Sequence, residues 1–590
     1  MIRALSAQHK NRPRFLPSLR VPTTEALFAT LSGCFFLVGA HFTFPNYGGY
    51  GLNLPKNYVA WVFIALLIGV GIWRWVSTRT LIFSQQMLWF WTGALILSLL
   101  LIDPRIRDLS LVVPRVTALL GGVLLYTALL QFQSNRVWQS LLYWMLVATS
   151  IQSGLGLVQY FSFGPDNPLG YDAISNRPNG TFQQVNVMAS FVATGLAIGL
   201  HLICSQPGQT RPRLLTLLIG FTAFSAPLLL VVIQSRTGQL AGCAVLLLMA
   251  PTFIQHFQSL KPELAKLTLL FALGLSSGII SLTVIKAEDS AQRRGSIYEH
   301  PGARTVIYSQ SLAIIQSQPL LGVGYGNFES AWRTTHANQA ETPGDLDQGL
   351  HGLNHPHNET LLWGVGGGAL ALFGLVLLAV GYLNTLRRLA WVQGLSFLAL
   401  AAPILIHTQT EYPLYHSSLH WITLIVLLAS ADHARGAFKT QQTPHILLPG
   451  AIAIAIPLIT VPFMLTGLQS LAVTTQFEAS KPKNYTLLLE VTNPAADLSR
   501  FQWHLWELRL KTALATGDRE ELNAFLDWSE TRAQSMPRVA LFIHQLIAQR
   551  ALGKFDAADR TLANARFLFG DMPELLPFID LPNTVKIRVE

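Results

Sequence analysis

Apolar runs of about 20 residues recur along almost the whole chain, and no other feature of the sequence restricts its fold so strongly. They lie near 25–44, 57–75, 86–102, 116–133, 138–160, 184–204, 214–234, 237–255, 264–285, 358–384, 391–411, 416–431 and 445–470. A run of that length crosses the ~30 Å hydrocarbon layer of a bilayer as a helix. Lipid offers backbone N–H and C=O groups no partners, so irregular chain cannot take the same path. Only 12% of the residues are charged, where a soluble domain carries about 25%. The expected class is an all-α polytopic membrane protein with about thirteen transmembrane helices.

A formal net charge of +10 invites a nucleic-acid reading, but the placement of the charge argues against one. Arg3, Lys10, Arg12, Arg14 and Arg20 precede the first run. Arg74, Arg79, Arg136, Arg211, Arg213, Lys261, Lys266, Arg387, Arg388, Arg435 and Lys439 fall in alternate short connections. This is the positive-inside pattern, and it holds register across the chain. It puts the N-terminus in the cytoplasm, and an odd number of spans puts the C-terminal tail outside. The first run lacks a small-residue cleavage site and reads as an uncleaved anchor. Cys34, Cys204 and Cys243 lie in or beside apolar runs, so no disulfide framework is expected in the external segments.

Three domains follow. Residues 1–24 are a basic cytoplasmic N-terminus, 25–470 the membrane domain, and 471–590 an external tail. The largest external loop runs from 286 to 357. Within it, "RTVIYSQSLAIIQSQ" (304–318) places Ile307, Ser311, Ile314 and Ile315 near helical spacing, and Pro319 stops the pattern. "LLGVGYGNF" follows as a glycine-rich turn. The tail is amphipathic and helical, and "ALGKFDAADRTLANA" has a tetratricopeptide-like cast.

The spans hold almost no acidic residues, whereas proton-coupled transporters place ionisable chains near mid-depth. Polar residues gather instead at the external ends. Arg236 stands in "IQSRTG", Gln183, Gln184 and Asn186 open a span, and "HTQTEYPLYH" (407–416) makes a short external turn containing Glu411 and Tyr412. Arg304 opens the loop helix, and "NHPHNETLLW" (354–363) brings His355, His357 and Asn358 to the start of a span. One external site at membrane level can be assembled from these residues. His351, His355 and His357 lack the i, i+4 pairing and any Cys partner of a zinc site, so no metal is expected.

"ARTVIYSQSLAIIQSQPLLGVGYGNF" (303–328) followed by "NHPHNETLLWGVGGGALALFGL" (354–375) resembles the core of the O-antigen ligase and polymerase superfamily, and "SRTG" (235–238) is similar to its earlier arginine motif. "NRPNGTFQQVNVMA" (176–189) and "EYPLYHSSLHW" (411–421) resemble more narrowly the bacterial protein O-oligosaccharyltransferases, or pilin-glycosylation ligases. The resemblance implies a GT-C-like bundle in the bacterial inner membrane, with its large loop, its C-terminal domain and its active site facing the periplasm. It implies transfer of a glycan from undecaprenyl pyrophosphate to a Ser or Thr hydroxyl of a pilin or other exported protein. No cofactor, metal or nucleic acid is implied; the partners are the lipid-linked donor, the acceptor protein and the bilayer.

The residue types suit that reaction. A pyrophosphate leaving group needs its developing charge met, and a guanidinium does so bidentately without losing its proton. An alcohol needs a base, and imidazole titrates in the right range. His357 then serves as base, with Arg236 and Arg304 as pyrophosphate clamps. Gln183, Gln184, Asn186, Asn358, His355, Glu411 and Tyr412 are candidate substrate contacts. Plainer readings stay open. His357 can cap the following helix, Arg304 can be a solvated residue, and Arg236 can pair structurally with Glu411. Glu411 can orient a base, pair an arginine or cap a span. A ligase to lipid A-core or a glycan polymerase would share the donor, and a lipid-linked sugar flippase would share the membrane domain without bond chemistry.

Overall fold

The computed structural model describes residues 23–205, 211–285, 304–340 and 350–579. The basic residues Arg3, Lys10, Arg12, Arg14 and Arg20, the loop arginines Arg293 and Arg294, and the ends of the tail and of the large loop's segments lie outside the described residues. The fold is an all-α polytopic membrane protein. Its long helices are α1 (Thr24–Leu37), α2 (Pro55–Thr78), α3 (Gln85–Leu99), α4 (Val113–Leu130), α5 (Asn135–Ser162), α6 (Val185–Cys204), α7 (Arg213–Ile233), α8 (Arg236–Gln255) and α9 (Phe257–Ile280). Two loop helices follow, α10 (Arg304–Ser317) and α11 (Phe328–Gln339). The bundle resumes with α12 (Glu359–Arg387), α13 (Trp391–Thr408), α14 (Ser418–Arg435) and α15 (Leu447–Ala479).

Twelve helices among the described residues are long and apolar enough to cross a membrane. α14, which carries Asp432 and Arg435, falls outside that set but packs on α2, α4 and α13 within the same layer. With α14 counted as a crossing, alternate connections emerge on the same face. One face collects Arg79, Arg136, Arg387, Arg388, Arg435 and Lys439, and there β1 (Thr80–Phe83) pairs antiparallel with β2 (Lys439–Gln442). The other face collects the 163–184, 234–235, 304–340, 350–358 and 409–417 segments, with the polar motifs singled out above lying in them or at the helix starts that follow. α6 is the most enclosed helix, packed on α7, α8 and α13. Below the site face, Ser190 Oγ of α6 lies 2.7 Å from His407 Nδ1 of α13 and 3.1 Å from His420 Nε2 of α14. A buried polar group must be bonded, so this cluster registers the three helices that carry Asn186 and Glu411.

The glycine-rich turn has a backbone explanation. α12 is broken at Gly368, whose φ of 57° and ψ of −149° belong to a region that essentially only glycine enters. The break lies nine residues into the helix, about 14 Å from its start, where backbone groups freed by a kink would face lipid. The "PLLGVGYG" segment (319–326) answers them. Val323 and Gly324 N–H donate to the carbonyls of Val365 and Gly366 at 2.9 and 3.0 Å, and Ala369 and Leu370 N–H donate to Pro319 and Leu320 at 2.7 and 3.2 Å. Two backbones this close leave no room for side chains: a Cβ on Gly322 would stand 2.3 Å from the Val365 oxygen. Arg105, paired with Asp103 at 2.6 Å, holds the turn from outside by donating to the carbonyls of Gly322 and Leu321.

α15 has 33 residues and is therefore about 50 Å long, well over the membrane's thickness. Its first part exposes Leu447, Leu448, Ile454, Leu458 and Ile459, as lipid requires. Its last turns bury Leu471 and Phe477 under the tail. The membrane-embedded helix thus continues nine residues past 470 before the tail begins. The tail is a row of helices, α16 (Leu498–Thr516), α17 (Arg519–Ala533), α18 (Val539–Ala551) and α19 (Phe555–Phe569), each packed on the next. It docks on the site-face loops. Arg532 pairs with Asp108, Arg538 pairs with Glu329 at 2.6 Å, and Phe542, Leu568 and Phe569 pack with Ala337 of α11.

Gly368→Ala should lower stability in detergent by at least ~2 kcal/mol, the order of a residue forced into a disallowed backbone region, because its Cβ would also stand 2.5 Å from the Leu320 carbonyl carbon. Gly450→Ala in α15, where a Cβ meets nothing within 4 Å, should be neutral or slightly stabilising. Thermal unfolding of both variants checks this; equal melting temperatures would remove the backbone explanation.

Candidate active site

The site is built around one buried carboxylate. α13 ends at Thr408, and the 409–417 turn carries Glu411 back under the loop helices with its side chain 8% exposed. Arg304 Nη2, at the first residue of α10, donates to Glu411 Oε1 at 2.7 Å. His357 Nδ1 lies 2.5 Å from Glu411 Oε2. Burial by itself would raise the Glu411 carboxyl. The hydrogen bond from His357 and the charges of His357 and Arg304 outweigh it and hold the group below the ordinary carboxylate value.

An ionised carboxylate only accepts hydrogen bonds, so His357 must donate from Nδ1. In the neutral form of the ring the lone pair then lies on Nε2. This is the arrangement of a general base oriented by a third group. The backbone is fixed as tightly as the ring. His357 has φ +54°, a left-handed conformation rare for a residue with a β-carbon. Its N–H donates to His355 Nδ1 at 2.8 Å, and its carbonyl accepts from Tyr308 OH at 3.1 Å.

The other predicted residues fall in graded positions. Asn186 joins the centre directly: its Nδ2 is 3.4 Å from Glu411 Oε1, and its Oδ1 accepts from Ser235 Oγ at 2.7 Å. Ser235 caps α8, and Arg236, exposed, is the first residue of that helix. The next residue, Thr237, reaches Thr410 Oγ1 at 2.9 Å. Arg236 is thus flanked by two residues wired to the Glu411 turn, while the guanidinium bonded to Glu411 itself belongs to Arg304. Gln184 caps α6 through its side-chain oxygen, and Asn358 caps α12 while donating to Gln409 O at 3.0 Å. Gln183 occupies a left-handed position at φ +58° beside Gly48. His355 is buried beneath His357, its ring 4.3 Å from that of Tyr412, and Tyr412 stacks on His416. Burial first, then Arg115, drives His355 far below the usual imidazole range. Burial likewise lowers His416 to about 4. Both are neutral supports at pH 7.

Several residues escaped sequence reasoning. Tyr308 OH also lies 3.0 Å from the Gln409 carbonyl, so one phenol ties α10 to the His357 and Glu411 segments. Arg177 caps the end of α7 by donating to Ile233 and Gln234 carbonyls at 2.8 and 3.1 Å. Ser235 was visible only as the leading residue of "SRTG". Nothing in periodicity could have found Tyr308, because its role depends on two carbonyls distant in sequence.

Four helices, α6, α8, α10 and α12, begin at this cluster. Helix N-termini carry partial positive charge and unbonded N–H groups, and they favour anions. Two arginines stand at two of those starts. A guanidinium has five N–H donors, so Arg304 retains donors beyond the one spent on Glu411. The cluster can therefore bind a doubly charged phosphate ester next to an oriented imidazole.

The fold is a polytopic helical bundle with this polar cluster at one membrane face. Residues 220–376 match the family model described as O-antigen ligase, and residues 395–576 match the one described as virulence factor membrane-bound polymerase, C-terminal. No curated protein matches the chain. The chain belongs to the O-antigen ligase/polymerase superfamily. It is a multi-pass membrane protein of a glycosyltransferase-like family, whose donor is a lipid-linked glycan.

Two stability measurements follow. His357→Gly and His357→Ala both remove the imidazole, yet only glycine is at ease at φ +54°; the glycine variant should be more stable by about 1 kcal/mol. An alanine variant as stable as the glycine one would show that the left-handed backbone is not held in the protein. Glu411 has a folded pKa below its unfolded value, which is ~4.3. Its contribution is therefore complete at neutral pH and lost as pH falls through the folded value. The stability gap between wild type and Glu411→Gln should be widest near pH 7 and close in acid. A gap independent of pH would contradict an ionised Glu411.

Proposed function

We propose that the protein is a protein O-oligosaccharyltransferase, moving a glycan en bloc from undecaprenyl pyrophosphate to Ser or Thr hydroxyls of pilins or other exported proteins. The observation that carries this reading is the sharing of one carboxylate by His357 and Arg304. His357 Nε2 takes the hydroxyl proton as the acceptor oxygen attacks C1 of the reducing-end sugar. The bond from C1 to the diphosphate oxygen breaks, and its electron pair leaves with the lipid diphosphate. Arg304 and Arg236, aided by the starts of α8 and α10, meet the charge on that leaving group. Glu411 keeps Nδ1 protonated and steadies the imidazolium that forms.

Sidedness has independent support. The opposite face carries the arginine-rich connections, which by the positive-inside rule belong in the cytoplasm. On this reading the site looks into the periplasm, where the lipid diphosphate and exported acceptors meet. The resemblance of 176–189 and 411–421, with the docked tail, favours a protein acceptor. The match of 220–376 to an O-antigen ligase model favours a second reading, ligation to lipid A-core, with the same donor chemistry.

Purified protein, a lipid-linked glycan and a candidate pilin should yield a pilin heavier by the mass of the glycan. Sugar found only on lipopolysaccharide would select the ligase reading, and no product on any acceptor would select a flippase. His357→Ala should reduce turnover by ~10²-fold or more, the general-base factor; near-normal turnover would remove the base assignment. Arg236→Lys keeps the charge but loses the planar fork, so donor use should fall sharply. EDTA should leave turnover unchanged, and inhibition reversed by a divalent ion would reopen a metal mechanism.

A further inference from the structure

A second concave surface lies away from the Glu411 cluster, where the tail docks on the loop helices. It is a groove of about 790 Å³ between the far end of α10, helix α11 and tail helices α17–α19. That volume lies within the range that takes a ligand of a few hundred daltons, ~300–1,000 Å³. Gln318, Thr334, Gln545, Gln549 and Asn564 line the groove, among apolar residues such as Ile314 and Phe567 and the charged Arg107, Glu530 and Arg560. Side-chain amides supply a donor and an acceptor each, which is what an extended main chain presents along both edges.

Two details set this wall apart from ordinary surface. Gln545 and Gln549 are 3% and 4% exposed, so their amides have been taken out of bulk water. Gln545 is fixed by donating to Ser529 Oγ at 3.2 Å, and the side-chain oxygen of Gln549 is buried without a hydrogen-bond partner. A buried acceptor left unbonded costs ~1–3 kcal/mol; the oxygen is closed off as the side chain stands, and a rotation of the amide toward the groove would let an N–H from a bound chain recover that cost.

Position supplies the rest. α10 has Arg304 at its first residue and Ile314 and Ser317 at its groove end. Thirteen helical steps span about 20 Å, a distance that an extended chain covers in about six residues. The groove floor and the reactive cluster are therefore two ends of one rigid helix. The ion pairs Arg532–Asp108 and Arg538–Glu329 clamp the opposite wall in place.

Resting on the protein-acceptor reading, we propose that this groove holds an extended segment of the acceptor polypeptide, about six residues from the modified Ser or Thr, by main-chain hydrogen bonds to the tail's amides. The tail thereby raises affinity for unfolded or flexible acceptor segments with little demand on their sequence, and it takes no part in the chemistry.

The test uses the full-length protein, a lipid-linked glycan and two acceptor peptides, one with about ten residues on each side of the modified residue and one trimmed to about three. Gln549→Leu removes the amide. Thr334→Trp, at an exposed rim position, fills the groove without touching the core. Both variants should raise KM for the long peptide about ten-fold and leave kcat, donor KM and KM for the short peptide unchanged. Wild-type protein should prefer the long peptide by a similar factor. Unchanged KM for the long peptide in both variants would overturn the groove assignment while leaving the protein-acceptor reading intact. Failure of the wild type to glycosylate either peptide or any intact protein would overturn that reading, and the occupant proposed for the groove with it.

Discussion

A single carboxylate holds the site together. Glu411 is nearly buried, and a charge in that position is costly unless it is paired and hydrogen-bonded. Arg304 and His357 satisfy it from two different segments, one opening α10 and the other entering α12. Asn186 adds a contact from α6, and through Ser235 it reaches the start of α8. Four helices therefore share one electrostatic centre. The same contact that fixes their ends also orients the imidazole of His357. The left-handed backbone at His357 fits this account, since strain of that kind persists only where neighbouring contacts over-determine it.

The membrane environment explains why the surroundings take the form they do. A loop that sits at membrane level cannot leave its backbone unbonded. The protein answers by docking the 319–326 turn against the broken α12, backbone to backbone, with glycines where a Cβ would collide. The turn lies at the end of α10, so anchoring it also anchors the helix that presents Arg304. Arg105 and Asp103, from the connection between α3 and α4, fasten the turn from outside. The tail is tied to that same connection through Asp108 and to α11 through Glu329. Loop, turn and tail thus form one continuous support at the site face.

Much of the candidate site was legible in advance, for a physical reason. Arg236, Gln184, Asn358 and Arg304 stand at helix starts, and helix starts in a membrane protein are marked by abrupt changes from polar to apolar sequence. His357 and Glu411 were visible as ionisable groups at the ends of apolar runs. Orientation of a base by Glu411 was one of three readings the sequence left open, and it could not be selected there because 54 residues and two membrane crossings separate Glu411 from His357. Glu411 bonds Arg304, although Arg236 was the partner weighed from sequence. The roles of Tyr308, Asn186 and Arg177 were also out of reach, since each depends on a carbonyl or a side chain from a distant segment.

The sequence by itself determined the class and the approximate number of long apolar helices, about thirteen expected against twelve among the described residues, and it grouped the polar motifs at one end of the spans. These follow from hydropathy, charge placement and glycine spacing, which are local properties read within a window of a few turns. Only the tertiary structure decided which arginine meets Glu411, which nitrogen of His357 faces it, and why the glycine turn plugs a broken helix. It alone placed the tail on the loop helices and left an amide-lined groove between them. Those outcomes rest on hydrogen bonds between segments far apart in the chain, and no local pattern encodes such a partner.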